Sequence, residues 1–125
     1  MNPIYVNPAK LGKPVGFSHG VVYSGGRLLF LGGQNGGEGP FATQFERALE
    51  RILEVVREAG GRPEHIGVLN IFVTSRKEYG AARKRIGAAW KRLMGRHYPA
   101  MAMYEVKSLW EPSAKVELEG IAVIP

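Results

Sequence analysis

The chain contains no cysteine. That absence excludes a disulfide framework, a thiolate nucleophile and any cysteine-held metal. No apolar run approaches the roughly 20 residues that cross a bilayer, and the N-terminal segment Met1-Asn2-Pro3-Ile4-Tyr5-Val6 lacks the basic region and apolar core of a signal peptide. A cytoplasmic protein with no membrane association is the expectation. Histidine is scarce. His19, His65 and His97 show neither H-x-H nor H-E-x-x-H spacing, so no metal is expected. Acidic residues are outnumbered, 11 Asp and Glu against 17 Lys and Arg, and the formal charge of +6 favours anionic partners without specifying one.

What is present reads as one domain, residues 1–125, long enough to bury roughly two thirds of its unfolded surface. Val21-Val22-Tyr23 and Leu28-Leu29-Phe30-Leu31 flank Ser24-Gly25-Gly26-Arg27, which predicts a β-hairpin. Phe45, Ala48, Leu49, Ile52, Val56 and Ala59 recur at the three-and-four spacing of one helical face, behind a capping-box pair at Thr43 and Glu46. Gly60-Gly61 ends that helix, and Pro63 discourages its resumption. Val68 to Thr74, short and rich in branched residues, predicts a central strand. Ser75 and Glu78 form a second capping box ahead of Tyr79, Ala82, Ile86, Ala89, Trp90 and Leu93, and Gly95 closes this second helix. A strand from Ala100 to Val106, a loop around Trp110-Glu111-Pro112 and a strand from Lys115 to Ile124 follow. The order is ββαβαββ. The fold class is α+β, two helices on one face of a mixed sheet.

Two helices on one face leave the other face of the sheet uncovered. Side chains alternate along a strand, so half of Leu28 to Leu31 points away from the helices and needs a partner surface. We infer a homo-oligomer.

Several motifs also have plainer readings. Gly16-Phe17-Ser18-His19-Gly20 matches the G-x-S-x-G nucleophile elbow, but that motif needs a strand-to-helix turn, and here a strand follows and Pro14 precedes. Ser18 is not read as a nucleophile. The run Gly32-Gly33-Gln34-Asn35-Gly36-Gly37-Glu38-Gly39 lacks a Lys-Ser or Lys-Thr partner and carries an acid, so it reads as a flexible connection, with Gly33 able to admit a ligand to backbone groups. His97 near a helix end reads as a packing residue, and His19 lies where a pocket could form. Arg76, Lys77, Arg83, Lys84, Arg85, Lys91, Arg92 and Arg96 crowd the second helix without interleaved aromatics, which reads as a solvated face and makes nucleic acid an unlikely partner. Glu117 and Glu119 share one strand face, where a carboxylate beside an oligomer cleft could position water.

Phe17-Ser18-His19, Leu29-Phe30-Leu31-Gly32-Gly33-Gln34, Glu58-Ala59-Gly60, His97-Tyr98-Pro99-Ala100 and Val116 to Val123 together resemble the RidA (YjgF) family, in an order that spans nearly the whole chain. The resemblance implies a chorismate-mutase-like subunit and a homotrimer with small-molecule clefts between neighbours. It also implies cofactor-free hydrolysis of reactive imines and enamines of the 2-aminoacrylate type. In that chemistry an arginine directly after the Pro-Ala pair clamps the substrate carboxylate; here that position is Met101. The aromatic ahead of the hairpin, commonly tyrosine, matches Phe17, and the asparagine expected in the second helix matches Gly87. Gly33 and Glu117 keep their places, Glu117 as the carboxylate that helps position water.

Two functions follow. One is a divergent imine or enamine hydrolase with Glu117 orienting water and another group, such as His19, replacing the clamp. The other is a non-catalytic binding or regulatory module whose cleft, lined by Phe17, Met101 and Met103, holds a less polar small molecule. An RNA-associated role, of the ribonuclease or translation-inhibitor type, ranks third.

Overall fold

The computed structural model describes residues 2–125. Its elements run β1 (Ile4–Val6), β2 (Gly20–Val22), β3 (Arg27–Asn35), α1 (Phe41–Glu58), β4 (Ile66–Val73), α2 (Arg76–Met94), β5 (Ala100–Glu105) and β6 (Val116–Ile124). Both helices, the central strand and the last two strands stand where periodicity and capping predict them. The α+β class with two helices on a mixed sheet holds.

Three local expectations do not hold. The order gains a strand, because Ile4–Val6 pairs antiparallel with β2 in a separate two-stranded sheet. The predicted β2–β3 hairpin has no ladder: Gly25 and Gly26 turn the chain at φ of 76° and 88°, but β2 pairs with β1 in its own small sheet while β3 is the edge strand of the main sheet beside β6. The β3–β6 ladder joins seven residue pairs, whereas β2 has three residues and pairs all of them with β1. The Thr43–Glu46 capping box also fails, since α1 starts at Phe41 behind Pro40, which places Thr43 inside the first turn and leaves Glu46 to pair with Arg92. The second box keeps its first arm: Ser75 accepts from the Glu78 N–H at 3.1 Å, while the Glu78 carboxylate binds Lys115.

The main sheet has the order β3-β6-β4-β5, with β4 and β5 parallel and the other pairs antiparallel. Its core face carries Leu69, Ile71, Val73, Val116, Leu118, Ala122 and Ile124, all buried against Phe45, Leu49, Ile52, Leu53 and Val56 of α1 and Ile86, Trp90 and Met94 of α2. The opposite face is open. Leu28 and Phe30 are 64% and 71% exposed there, while Leu31 on the core side is 4% exposed.

The glycine run is better ordered than expected for a flexible connection. Gly32 to Asn35 continue β3 through a bulge opposite β6, and Gly36 packs so closely on α1 that a Cβ there would lie 2.0 Å from the Gln44 carbonyl oxygen. Gln44, almost fully buried, fastens this corner: its amide donates to the Gly39 and Ser113 carbonyls, and its oxygen accepts from the Lys115 N–H. No described helix is long and apolar enough to cross a membrane.

Candidate functional site

Strand alternation sorts the candidate residues by sheet face. In the parallel ladder Met101 pairs with Leu69, which is fully buried under the helices, so the Met101 side chain points the same way. It packs on the core and walls a cavity of about 190 Å³ between α2, β5 and the loop bearing Val15 and Gly16. Tyr79, Arg83 and Gly87 enter this cavity from α2, four residues apart on one helical stripe. A Cβ at Gly87 would meet nothing within 4 Å, so the wall is open at that point. Burial pushes the Tyr79 hydroxyl up from its ordinary value, with the Arg83 charge opposing, so Tyr79 stays a neutral donor. The rings of Trp90 and Tyr98, both in the wall, stack at 5.9 Å and 9°. Met103 lies two residues along the same strand face but is half exposed and outside the cavity wall.

Glu117 occupies the other face. Across β4 and β6 it pairs with Phe72, whose ring stacks on Tyr104 at 5.5 Å on the open side of the sheet. Gly33 stands at the β3 bulge, where a Cβ would fall 2.6 Å from the Glu117 Oε2. The missing side chain is what gives the carboxylate its place.

Phe17 and His19 form a third group. Their rings meet edge to face at 5.2 Å, and Phe17 lines a larger hollow of about 610 Å³ that shares Val15, Gly16 and Tyr98 with the Met101 cavity. His19 lines neither hollow. Its Nε2 donates to the Gly12 carbonyl at 3.1 Å, and its backbone N–H donates to Asn7 Oδ1 at 2.7 Å. The structure thus brings Met101 to Gly87 and Gly33 to Glu117, and separates the two pairs by the thickness of the sheet.

The remaining candidates are structural. Ser18 is buried, its hydroxyl donating to the Tyr98 carbonyl at 2.6 Å and its N–H to that of Pro99 at 3.0 Å, which ties the segment alongside β5. His97 is buried between Tyr5 and the Ile66 carbonyl, both at 2.6 Å. Because a carbonyl only accepts, the His97 proton sits on Nε2 and Nδ1 accepts from the Tyr5 hydroxyl. Burial pulls its pKa below the ordinary value. His65 Nδ1 likewise accepts from the Arg62 N–H at 2.8 Å, and burial lowers its pKa too. Among the described residues no three His, Asp or Glu side chains gather as a metal set.

Sequence reasoning missed Tyr79 and Arg83 as a pair facing a cavity. Arg83 stood in a crowd of eight cations, and its distinguishing signal was the four-residue spacing to Tyr79 and Gly87. Of the others, Arg92 pairs with Glu46 and Arg76 with Glu105, while Lys84, Arg85 and Lys91 are exposed, as Arg83 itself is.

Residues 9–124 match the family model described as Endoribonuclease L-PSP. Among solved structures the chain is similar to YyfB, a protein of unknown function from the conserved Rid family of Yersinia pestis, at 28% identity and a TM-score of 0.84, covering 99% of this chain and 100% of that one. A member of the YjgF/YER057c/UK114 family from Mycobacterium tuberculosis gives 26% identity and a TM-score of 0.67 over 98% and 100% of the two chains. RidA from an Antarctic Psychrobacter gives 24% identity and a TM-score of 0.68 over 94% of each chain. No curated protein matches.

Proposed function

The chain belongs to the endoribonuclease L-PSP family, the RidA/YjgF group, and from that premise we propose that it binds a small molecule in clefts between copies of itself while hydrolysing imines weakly or not at all. The observation that carries this reading is Met101. Its side chain walls the cavity at the position where the resemblance implies an arginine, and a thioether cannot replace two parallel N–H donors. A charge-assisted contact of that kind is worth about 1.5–3 kcal/mol, roughly ten- to a hundredfold in binding. Phe17 brings no hydroxyl and Gly87 no amide to offset it. His19, committed to the Gly12 carbonyl outside the cavity, is poorly placed to act as a substitute.

The assembly belongs to the same proposal. Met101 and Glu117 face opposite sides of one sheet, so a cleft holding both needs a second copy to bring its open face to the first copy's β5 edge. The exposed Leu28 and Phe30 on that open face supply apolar surface for such packing, and a homotrimer is the arrangement the resemblance implies.

The test is hydrolysis of freshly generated 2-aminoacrylate by the purified protein beside an arginine-bearing relative. A rate far below the relative's is expected, and a matching rate would overturn the reading. Nucleic-acid binding ranks below it, because two of the α2 cations are in ion pairs and neither aromatic of that helix is exposed for base stacking.

A further inference from the structure

We infer that the N-terminal arm, residues 2–17, is a clasp over two hollows that opens when His97 takes up a proton.

The arm is lightly held. None of residues 2–17 is buried, and Ile4, Leu11 and Val15 are largely exposed. Among the described residues, its hydrogen bonds to the rest of the chain are the three-residue ladder of β1 with β2, two bonds to His19, and the Tyr5 hydroxyl on His97 Nδ1. From residue 18 onward the chain is fastened. Ser18 is buried on the Tyr98 and Pro99 carbonyls, and Tyr23 donates to the Glu64 and Ile66 carbonyls. A segment that buries so little apolar surface can open without the core.

His97 itself cannot swing away. Its backbone N–H donates to the Met94 carbonyl, its carbonyl accepts from the Trp90 indole, and its Nε2 donates to the Ile66 carbonyl at 2.6 Å. With Nε2 committed, a second proton must settle on Nδ1, the lone pair at which Tyr5 aims its hydroxyl hydrogen from 2.6 Å. The two hydrogens would meet head-on. The bond must reverse, and a cationic ring is left beneath Tyr5. No counter-ion answers that charge. Glu64, on the neighbouring turn, is paired with Arg62 at 3.6 Å, and His97 makes no ion pair among the described residues. The other groups facing it are His65 on the same turn, Tyr23 on the shared Ile66 carbonyl, and the cation Arg96 next in the chain; α2 brings only the apolar Leu93 and Met94.

A buried cation without a partner is costly, and lifting Tyr5 is what admits water to the ring. Proton uptake and opening are therefore linked. Burial already pulls the pKa of His97 below its ordinary value, and opening restores it. The closed arm keeps this advantage above about pH 6.5 and loses it as the pH falls towards the closed-state value. The bonds to His19 do not share this dependence, since Nε2 donates to the Gly12 carbonyl whether or not the ring is charged. Val15 and Gly16 of the arm wall the Met101 cavity, and with Phe17 they wall the hollow of about 610 Å³. Opening uncovers both.

The test is amide hydrogen exchange on the full-length protein as it assembles, from pH 7.5 to 5.5, with rates corrected for the intrinsic effect of pH on exchange. At pH 7.5 residues 4–12 are expected to be protected at least about tenfold less than β4, and to lose roughly a further tenfold by pH 5.5. His97→Gln, which keeps both side-chain bonds but takes no proton, is expected to hold arm protection constant to within about twofold over that range. Tyr5→Phe, which removes the hydroxyl alone, is expected to lower arm protection at pH 7.5 by about fivefold and leave β4 unchanged. Equal protection of the arm and β4 would overturn the separate opening. A pH slope surviving His97→Gln, or arm protection unchanged in Tyr5→Phe, would overturn the clasp at His97.

Discussion

Met101 and Glu117 stand on opposite faces of the same four-stranded sheet, fixed there by pairing with Leu69 on the buried side and Phe72 on the open side. No side-chain motion within one protomer can bring them to one ligand. On the proposed shared cleft, the exposed Leu28 and Phe30 of the open face would pack against a second copy.

The protein is therefore expected to scatter light as an oligomer, with the mass of a trimer, at micromolar concentration. Phe30→Glu places a charge in the middle of the open face and is expected to shift the mass to that of a monomer, since burying one such aromatic is worth about 1.5–3 kcal/mol per copy. A wild-type mass equal to one chain would sink the shared-cleft proposal.

Gly33 and Glu117 supply a second test. Alanine at 33 adds a Cβ whose nearest neighbours are the far atoms of a flexible carboxylate, and the backbone there needs no positive φ. The fold should tolerate Gly33→Ala, with a melting temperature within a few degrees of wild type. Any turnover that depends on Glu117 should fall as far as it does in Glu117→Gln. Full retention of turnover in Gly33→Ala alongside its loss in Glu117→Gln would show that the close approach is incidental.

Gly120 behaves differently. A Cβ there would lie 2.0 Å from the Val68 carbonyl oxygen, and that neighbour is backbone of the central strand, which cannot swing aside. Gly120→Ala is expected to destabilise by on the order of 3 kcal/mol in urea denaturation. A loss under about 1 kcal/mol would mean that the two strands part more easily than their packing indicates.

Stability should also depend on pH in one direction. Burial lowers the pKa of His97 and of His65 from the ordinary 6.5, so below that pH the unfolded chain takes up protons that the folded chain resists. Their contribution is present above about 6.5 and is lost as the pH falls towards the folded values, at up to about 1.4 kcal/mol per pH unit for each histidine. Melting temperatures measured from pH 8 down to 5.5 should fall over the lower part of that range. His97→Gln, which can still donate to Ile66 and accept from Tyr5, should flatten the slope, and a profile unaffected by it would show that His97 does not set the pH dependence.

Much of the fold was legible because its signals are local. The helical stripe from Phe45 to Val56, the Ser75 cap, and the glycines at 60 and 95 each act within a few residues. What escaped depends on partners distant in sequence. Ile4–Val6 is too short to declare itself as a strand until Gly20–Val22 pairs with it, and that same pairing replaces the β2–β3 hairpin, while β3 joins β6, almost a hundred residues on. The site followed the same rule. Met101, Gly87, Gly33 and Glu117 could be picked out by resemblance, but which of them face one another is set by strand register, and that Arg83 reaches a cavity wall is visible only in the fold.

On the proposed function, Met101 leaves its cavity without the carboxylate clamp that the family resemblance implies. The decisive measurement is the initial rate of 2-aminoacrylate hydrolysis for the wild-type protein and for Met101→Arg, taken side by side at sub-saturating substrate. A wild-type rate close to that of buffer is expected, with a gain of at least tenfold in Met101→Arg. A wild-type rate equal to that of an arginine-bearing relative, unchanged by Met101→Arg, would contradict it.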